Sequence, residues 1–140
     1  MRQSYSLLSC LWASIICLIA STAMASDTFY LKHNIWYFKK VSASTNYATD
    51  TLVPVGSKVT ISDEDSDELE LKSEAAGATF TIKLVNKHTK GLTIAEVKDR
   101  LLSKTPVNIP SSPADIANAI KNGTVVVGMT KAQVLMARGY

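Results

Sequence analysis

Leu52-Val53-Pro54-Val55-Gly56-Ser57-Lys58-Val59-Thr60-Ile61 is the stretch on which the fold of this 140-residue chain turns. Pro54 and Gly56 bracket a turn. Glycine takes positive φ at the third position of a type II turn, where a β-branched residue such as Val55 would be strained. Beyond the turn, Val59 and Ile61 alternate with Lys58, Thr60 and Ser62, the two-residue period of a strand with one buried face. Such a strand needs partners, so the apolar runs on either side must fold back onto it. The expectation is a small β-rich unit.

Upstream, Thr28-Phe29-Tyr30-Leu31 and Asn34-Ile35-Trp36-Tyr37-Phe38 read as aromatic-rich strands separated by Lys32-His33. Ile35 and Tyr37 share one face and Trp36 and Phe38 the other, so both faces carry apolar weight. Two readings follow. Either one face is core and the other packs on a neighbour, or the strand contributes to an aromatic ligand surface. That surface would hold Trp36, Tyr37 and Tyr47, flanked by Lys39 and Lys40. Ser42 to Asp50 is polar and reads as a loop.

Downstream, Asp63-Glu64-Asp65-Ser66-Asp67-Glu68 is an acidic connection to a second strand, Leu69-Glu70-Leu71-Lys72. Ala75-Ala76-Gly77 turns the chain into a third, where Phe80, Ile82 and Leu84 alternate with polar residues. With the aromatic pair this makes about five strands. A small curled sheet or SH3-like barrel would bury their apolar faces and limit free edges.

The periodicity changes at Gly91-Leu92. Thr93 and Glu96 form a capping-box pattern ahead of Val97, Leu101 and Leu102, and Lys104-Thr105-Pro106 should end that helix. Ser112 caps a second helix with Pro113 at its first position, Ile116 and Ile120 inward, and Gly123 at its close. Thr130 and Gln133 repeat the capping box before Val134 and Leu135, and Gly139 is the stop. The fold class is therefore α+β. A curled sheet of about five strands occupies residues 26–90, and two or three short helices form a tail over 91–140.

Residues 1–25 belong to neither part. Arg2, the apolar run Leu7 to Ala20, and Ala23-Met24-Ala25 supply the charged, apolar and small-x-small regions of a secretory signal peptide cleaved after Ala25. The run is shorter than the roughly 20 residues a spanning helix needs. The expected location is periplasmic or secreted. Cys10 and Cys17 both lie inside this segment, so the mature chain must hold itself by core packing without disulfides. The net charge of +3, lowered by one when Arg2 leaves, is too mild to imply a nucleic-acid partner.

Stretches that might suggest catalysis or metal binding fall short of the patterns those chemistries need. Asp63, Asp65 and Asp67 with Glu74 match four ligand positions of a calcium loop, but Glu68 stands where that loop requires glycine for its sharp turn. A solvated hairpin turn is the better reading. His33 and His88, the two histidines, lack a second His or Cys at ligand spacing. There is no G-x-S-x-G elbow, and no cysteine follows residue 25 to serve as a nucleophile. No catalytic residue, metal or cofactor is expected. Lys83, Lys87, His88, Lys90, Lys98, Arg100 and Lys104 concentrate positive charge at the join between strands and helices. They form either an ordinary solvated surface or a contact for anionic lipids or wall polymers.

Thr124-Val125-Val126-Val127-Gly128-Met129-Thr130-Lys131-Ala132-Gln133-Val134, followed by Gly139, resembles the signature of BamE/SmpA-type envelope proteins. The resemblance implies a periplasmic α+β module that binds other proteins, typically within outer-membrane assembly machinery, without catalysis. The family pattern continues past the Gly turn with a proline and further strands. The resemblance therefore implies a truncated module over 91–140, with Val134 and Leu135 partly exposed. The turn from Pro54 to Val59 is similar to the "P-x-G-x-x-V" turn of bacterial SH3-like barrels.

The sequence thus points to an exported, non-catalytic binding or structural protein of the bacterial envelope. Its partner is an envelope protein or a cell-wall polymer, not nucleic acid, with a peripheral membrane contact as a further option. The contact residues are Trp36, Tyr37, Tyr47, Lys39 and Lys40. An unrecognised small secreted enzyme and a secreted enzyme inhibitor are the alternatives.

Overall fold

The computed structural model describes residues 27–111 and 113–139. The expected signal peptide and the proposed cap Ser112 lie outside them. The strands are β1 (Thr28–Leu31), β2 (Ile35–Tyr37), β3 (Val41–Ala43), β4 (Thr51–Val53), β5 (Lys58–Glu64), β6 (Glu68–Ser73), β7 (Ala78–Lys83) and β8 (Leu102–Ser103). The helices are α1 (Ile94–Leu101), α2 (Ala114–Lys121) and α3 (Lys131–Arg138). The fold is α+β: a curled, half-barrel sheet of six strands with short helices. Among the described residues, no helix is long and apolar enough to cross a membrane.

The turn at Pro54 forms as its residues dictate. Ser57 N–H donates to Pro54 O at 3.2 Å, and Gly56 at the third position has φ +80°, the type II pattern. The turn delivers Val59 into the core opposite Phe29 of β1 on one side and Ser73 of β6 on the other. The β5–β6 and β6–β7 hairpins are antiparallel, and the sheet order is β3-β7-β6-β5-β1-β8. Between Ile61 and Asp63 the register slips by one residue, a bulge that increases twist and helps curl the sheet. The acidic connection is the β5–β6 hairpin turn, closed by Asp65 N–H donating to Glu68 O at 2.9 Å.

Curling makes one face concave. Phe29, Leu31, Val59, Leu69, Leu71, Phe80 and Ile82 meet there, and α1 covers them with Ile94, Val97 and Leu101. The α1 capping box is complete: Thr93 Oγ1 accepts from Glu96 N–H, and the Glu96 carboxylate accepts from Thr93 N–H. A second cluster collects Val55, Ile116 and Ile120 with Ile109, Met129 and Met136, and it packs α2 with α3. The capping box at Thr130 and Gln133 is likewise complete.

Four details depart from the sequence reading. Ser42 and Ala43 are not loop: with Val41 they form β3, which pairs in parallel with β7 and gives the sheet an edge. Thr51–Val53 is an additional strand, β4, paired with β2. The first helix ends at Leu101 rather than near Lys104, because Leu102 turns extended and pairs with Leu31 of β1. An unpaired edge of β1 outweighs one more turn of helix there. Pro113 is the N-cap of α2, not its first helical residue, and its ψ of 150° leaves the helix to begin at Ala114.

Candidate functional site

Three of the five sequence-predicted contact residues are exposed, and two are not. Trp36 is 7 % exposed and Tyr37 9 %. Tyr37 stacks on Phe80 in the main core with ring centroids 5.0 Å apart. Trp36 faces the opposite way, against Gly123 and beneath the Arg138 guanidinium, which lies 5.0 Å from its ring centroid. β2 therefore carries apolar side chains on both faces because it lies between the sheet core and the helix pair. This arrangement is that of the packing reading: Trp36 and Tyr37 are buried, and neither lines the cleft beside Tyr47.

Lys39 and Lys40 form the two-residue tip that joins β2 to β3. Phe38 and Val41 exchange backbone hydrogen bonds at 2.8 and 2.9 Å, and both lysines have positive φ, 48° and 66°. That is the geometry of a type I′ turn, which normally calls for Asn-Gly. Each lysine there costs roughly 1 kcal/mol relative to glycine, and such strain concentrates at functional positions. Phe38, 52 % exposed, and Val41, 39 % exposed, flank the tip, and Lys39 Nζ lies 5.2 Å from the Phe38 ring centroid. Sequence reasoning placed Phe38 in a strand and missed it as a surface residue. Its neighbours Lys39-Lys40 were the available signal.

Tyr47, 61 % exposed, lines a cleft of about 390 Å³ between the segment after β3 and the C-terminal half of α1 with the residues that lead into it. Ile35, Ile82, Val97 and Leu101 give the cleft apolar walls, while Thr45, His88 and Arg100 bring polar groups. Among the described residues, no carboxylate lines it. Thr45 Oγ1 is buried and makes no hydrogen bond among the described residues. Two members of the basic cluster, His88 and Arg100, reach this site; Lys83 and Lys98 instead pair with Glu68 and Glu64. Arg100 also acts at a distance on Glu96. The Glu96 carboxyl is held below its ordinary value chiefly by hydrogen bonds from Thr93, with the Arg100 charge adding to them.

His33, at the inner end of the cleft, is buried, and its Nδ1–H donates to Asn34 O at 2.9 Å. The carbonyl can only accept, so Nδ1 carries the proton. Burial pushes the imidazole pKa below its ordinary 6.5; the bond to Asn34 O opposes this, and the Lys32 charge adds to it. Across the window below pH 6.5 the unfolded chain therefore binds more protons than the folded one, so stability falls as the pH drops toward the depressed value. Thermal midpoints at pH 7.5 and 5.5 check this. The wild-type protein should melt lower at pH 5.5, and His33→Gln should show a smaller drop. The Glu96 contribution is lost only at lower pH, as its carboxyl titrates below 4.5.

Beneath the cleft, Asn34 joins the two cores. It is fully buried, and its Oδ1 accepts from Val55 N–H at 2.6 Å. Its Nδ2 donates to Ile120 O at 2.6 Å and to Ala137 O at 3.0 Å, satisfying carbonyls at the C-terminal ends of α2 and α3. Asn46 Nδ2 adds bonds to Asn34 O and Arg138 O. Among the described residues, no group of three or more His, Cys, Asp or Glu converges as a metal site would require.

No family model, curated protein or solved structure matches the chain.

Proposed function

We propose that the protein is an exported, non-catalytic binding protein of the cell envelope, which holds part of an envelope protein or cell-wall polymer in the cleft beside Tyr47. The observation that carries this reading is the lining: an exposed tyrosine and a guanidinium over apolar walls, with no carboxylate among the described lining residues. Such a site suits a ligand with a carboxylate end and a short apolar body, as a peptide terminus or a wall-polymer stem offers. The leader at residues 1–25 supports export. The likeness of Thr124 to Val134, followed by Gly139, to the BamE/SmpA-type signature supports an envelope partner.

Tyrosine and arginine are the side chains whose truncation most often costs a bound partner dearly. Tyr47→Ala and Arg100→Gln should each weaken capture of partners from solubilised envelope extract, or of purified wall polymer, by about tenfold or more. Melting temperatures should stay near wild type, since both side chains are at the surface of the cleft. Undiminished capture by both variants would remove the cleft as the binding site.

A further inference from the structure

The turn at Phe38 to Val41 lies outside the cleft and is not used by the reading above. We propose that it is a membrane-docking tip: Phe38 and Val41 enter the boundary between head groups and acyl chains of an anionic bilayer, and Lys39 and Lys40 contact the lipid phosphates.

Three features of the tip carry this. First, Phe38 and Val41 are directly opposite each other in a hydrogen-bonded pair, so their side chains share one face, and both are exposed. Second, the two residues between them are both cations on long aliphatic stems. Such stems lie along apolar groups while their ammonium heads reach outward to anions. In the row running inward from Val41, the neighbour is Thr81, and the first carboxylate, Glu70, is a further strand away. At the usual strand spacing that is about 10 Å from Val41, so no acidic group in that row neutralises the tip at contact distance. Third, the lysines hold a left-handed turn that Asn-Gly would adopt without strain. The positive charge is kept at a conformational cost.

The size of the tip decides the kind of partner. Four residues on a two-residue turn cannot supply the roughly 800 Å² per side that a specific protein interface buries. A bilayer needs no matched shape, only apolar depth and negative charge. The tip is anchored for such a load: Thr81 N–H donates to Lys40 O at 2.8 Å, fastening it to β7.

The test uses the full chain, so whatever residues 1–26 contribute is common to every variant. Binding is measured by sedimentation with phosphatidylglycerol–phosphatidylcholine vesicles and with phosphatidylcholine alone. Each lysine near an anionic surface contributes enough that removing both charges should weaken binding to the anionic vesicles about 30-fold. Lys39→Gln with Lys40→Gln supplies that comparison. The Lys39→Asn, Lys40→Gly double variant should lose binding to the same degree while melting at a higher temperature than wild type, which separates the loss from unfolding. Amine labelling followed by mass spectrometry reads the tip itself. Lys39 and Lys40 should be protected several-fold on anionic vesicles and not on phosphatidylcholine, with Lys121 unchanged on both. Tyr47→Ala should bind vesicles as wild type does, so failure of the cleft reading and failure of this one are told apart. Equal labelling of Lys39 and Lys40 with and without anionic vesicles would overturn the proposal. So would capture of an acidic protein that depends on the two lysines while vesicles leave them unprotected.

Discussion

Replacing Asn34 by alanine should lower folding stability by about 4 kcal/mol, the largest effect expected of any polar substitution in this protein. The side chain makes three hydrogen bonds in a fully buried position: one from Val55 N–H, and one each to Ile120 O and Ala137 O. Alanine reproduces none of them. Val55 N–H is then left buried without that partner, and each such orphan costs roughly 1–3 kcal/mol. Ile120 O retains a second donor, Gly123 N–H at 3.2 Å, so its loss is milder. Asn34→Asp separates acceptor from donor. It keeps an oxygen for Val55 N–H but turns carboxylate toward two carbonyls, and should be at least as destabilising as alanine at pH 7. The denaturant midpoint measures both. A loss below about 1 kcal/mol for Asn34→Ala would mean that the two cores are not joined through this side chain.

Gly123→Ala should cost about 3 kcal/mol, again read from the denaturant midpoint. Its φ is +68°, where an alanine is strained. A Cβ built there would lie 2.2 Å from Trp36 Cζ2 and 2.7 Å from Cη2, distances no packed atoms hold. Trp36 cannot easily yield, because it is buried and Arg138 lies over its ring. The contact predicts a coupling. In a Trp36→Phe background, where Cζ2 and Cη2 are gone, Gly123→Ala should cost at least about 1 kcal/mol less. Additive losses in that double-mutant cycle would show that the tryptophan and the glycine do not meet.

The two residues illustrate what can be read from a chain and what cannot. Gly123 is visible in the sequence as the stop of a helix, and it does follow the Asn122 cap of α2. Its second duty, making room for an indole 87 positions earlier, depends on where α2 lands. Asn34 reads as the first residue of an aromatic strand. Nothing near it announces a hub, because its partners at Val55, Ile120 and Ala137 are distant along the chain. The exposure of Lys39, Lys40 and Tyr47 was legible from composition and a break in pattern. The burial of Trp36 and Tyr37 was not, since an alternating aromatic strand looks the same whether its second face meets water or a helix pair. Nor was the cleft, whose lining is drawn from His33 to Tyr47, Ile82, and His88 to Leu101.

By itself the sequence determined what local chemistry governs. It set the type II turn at Pro54–Ser57 and the β5–β6–β7 meander. It also set both capping boxes and the α+β class, each decided by residues within a few positions of one another. Tertiary structure decided the edge strands β3 and β8, the early end of α1, the junction at Asn34 and the cleft. Each of these satisfies a backbone group or an apolar face with a partner far along the chain, and only the folded chain brings such partners within reach.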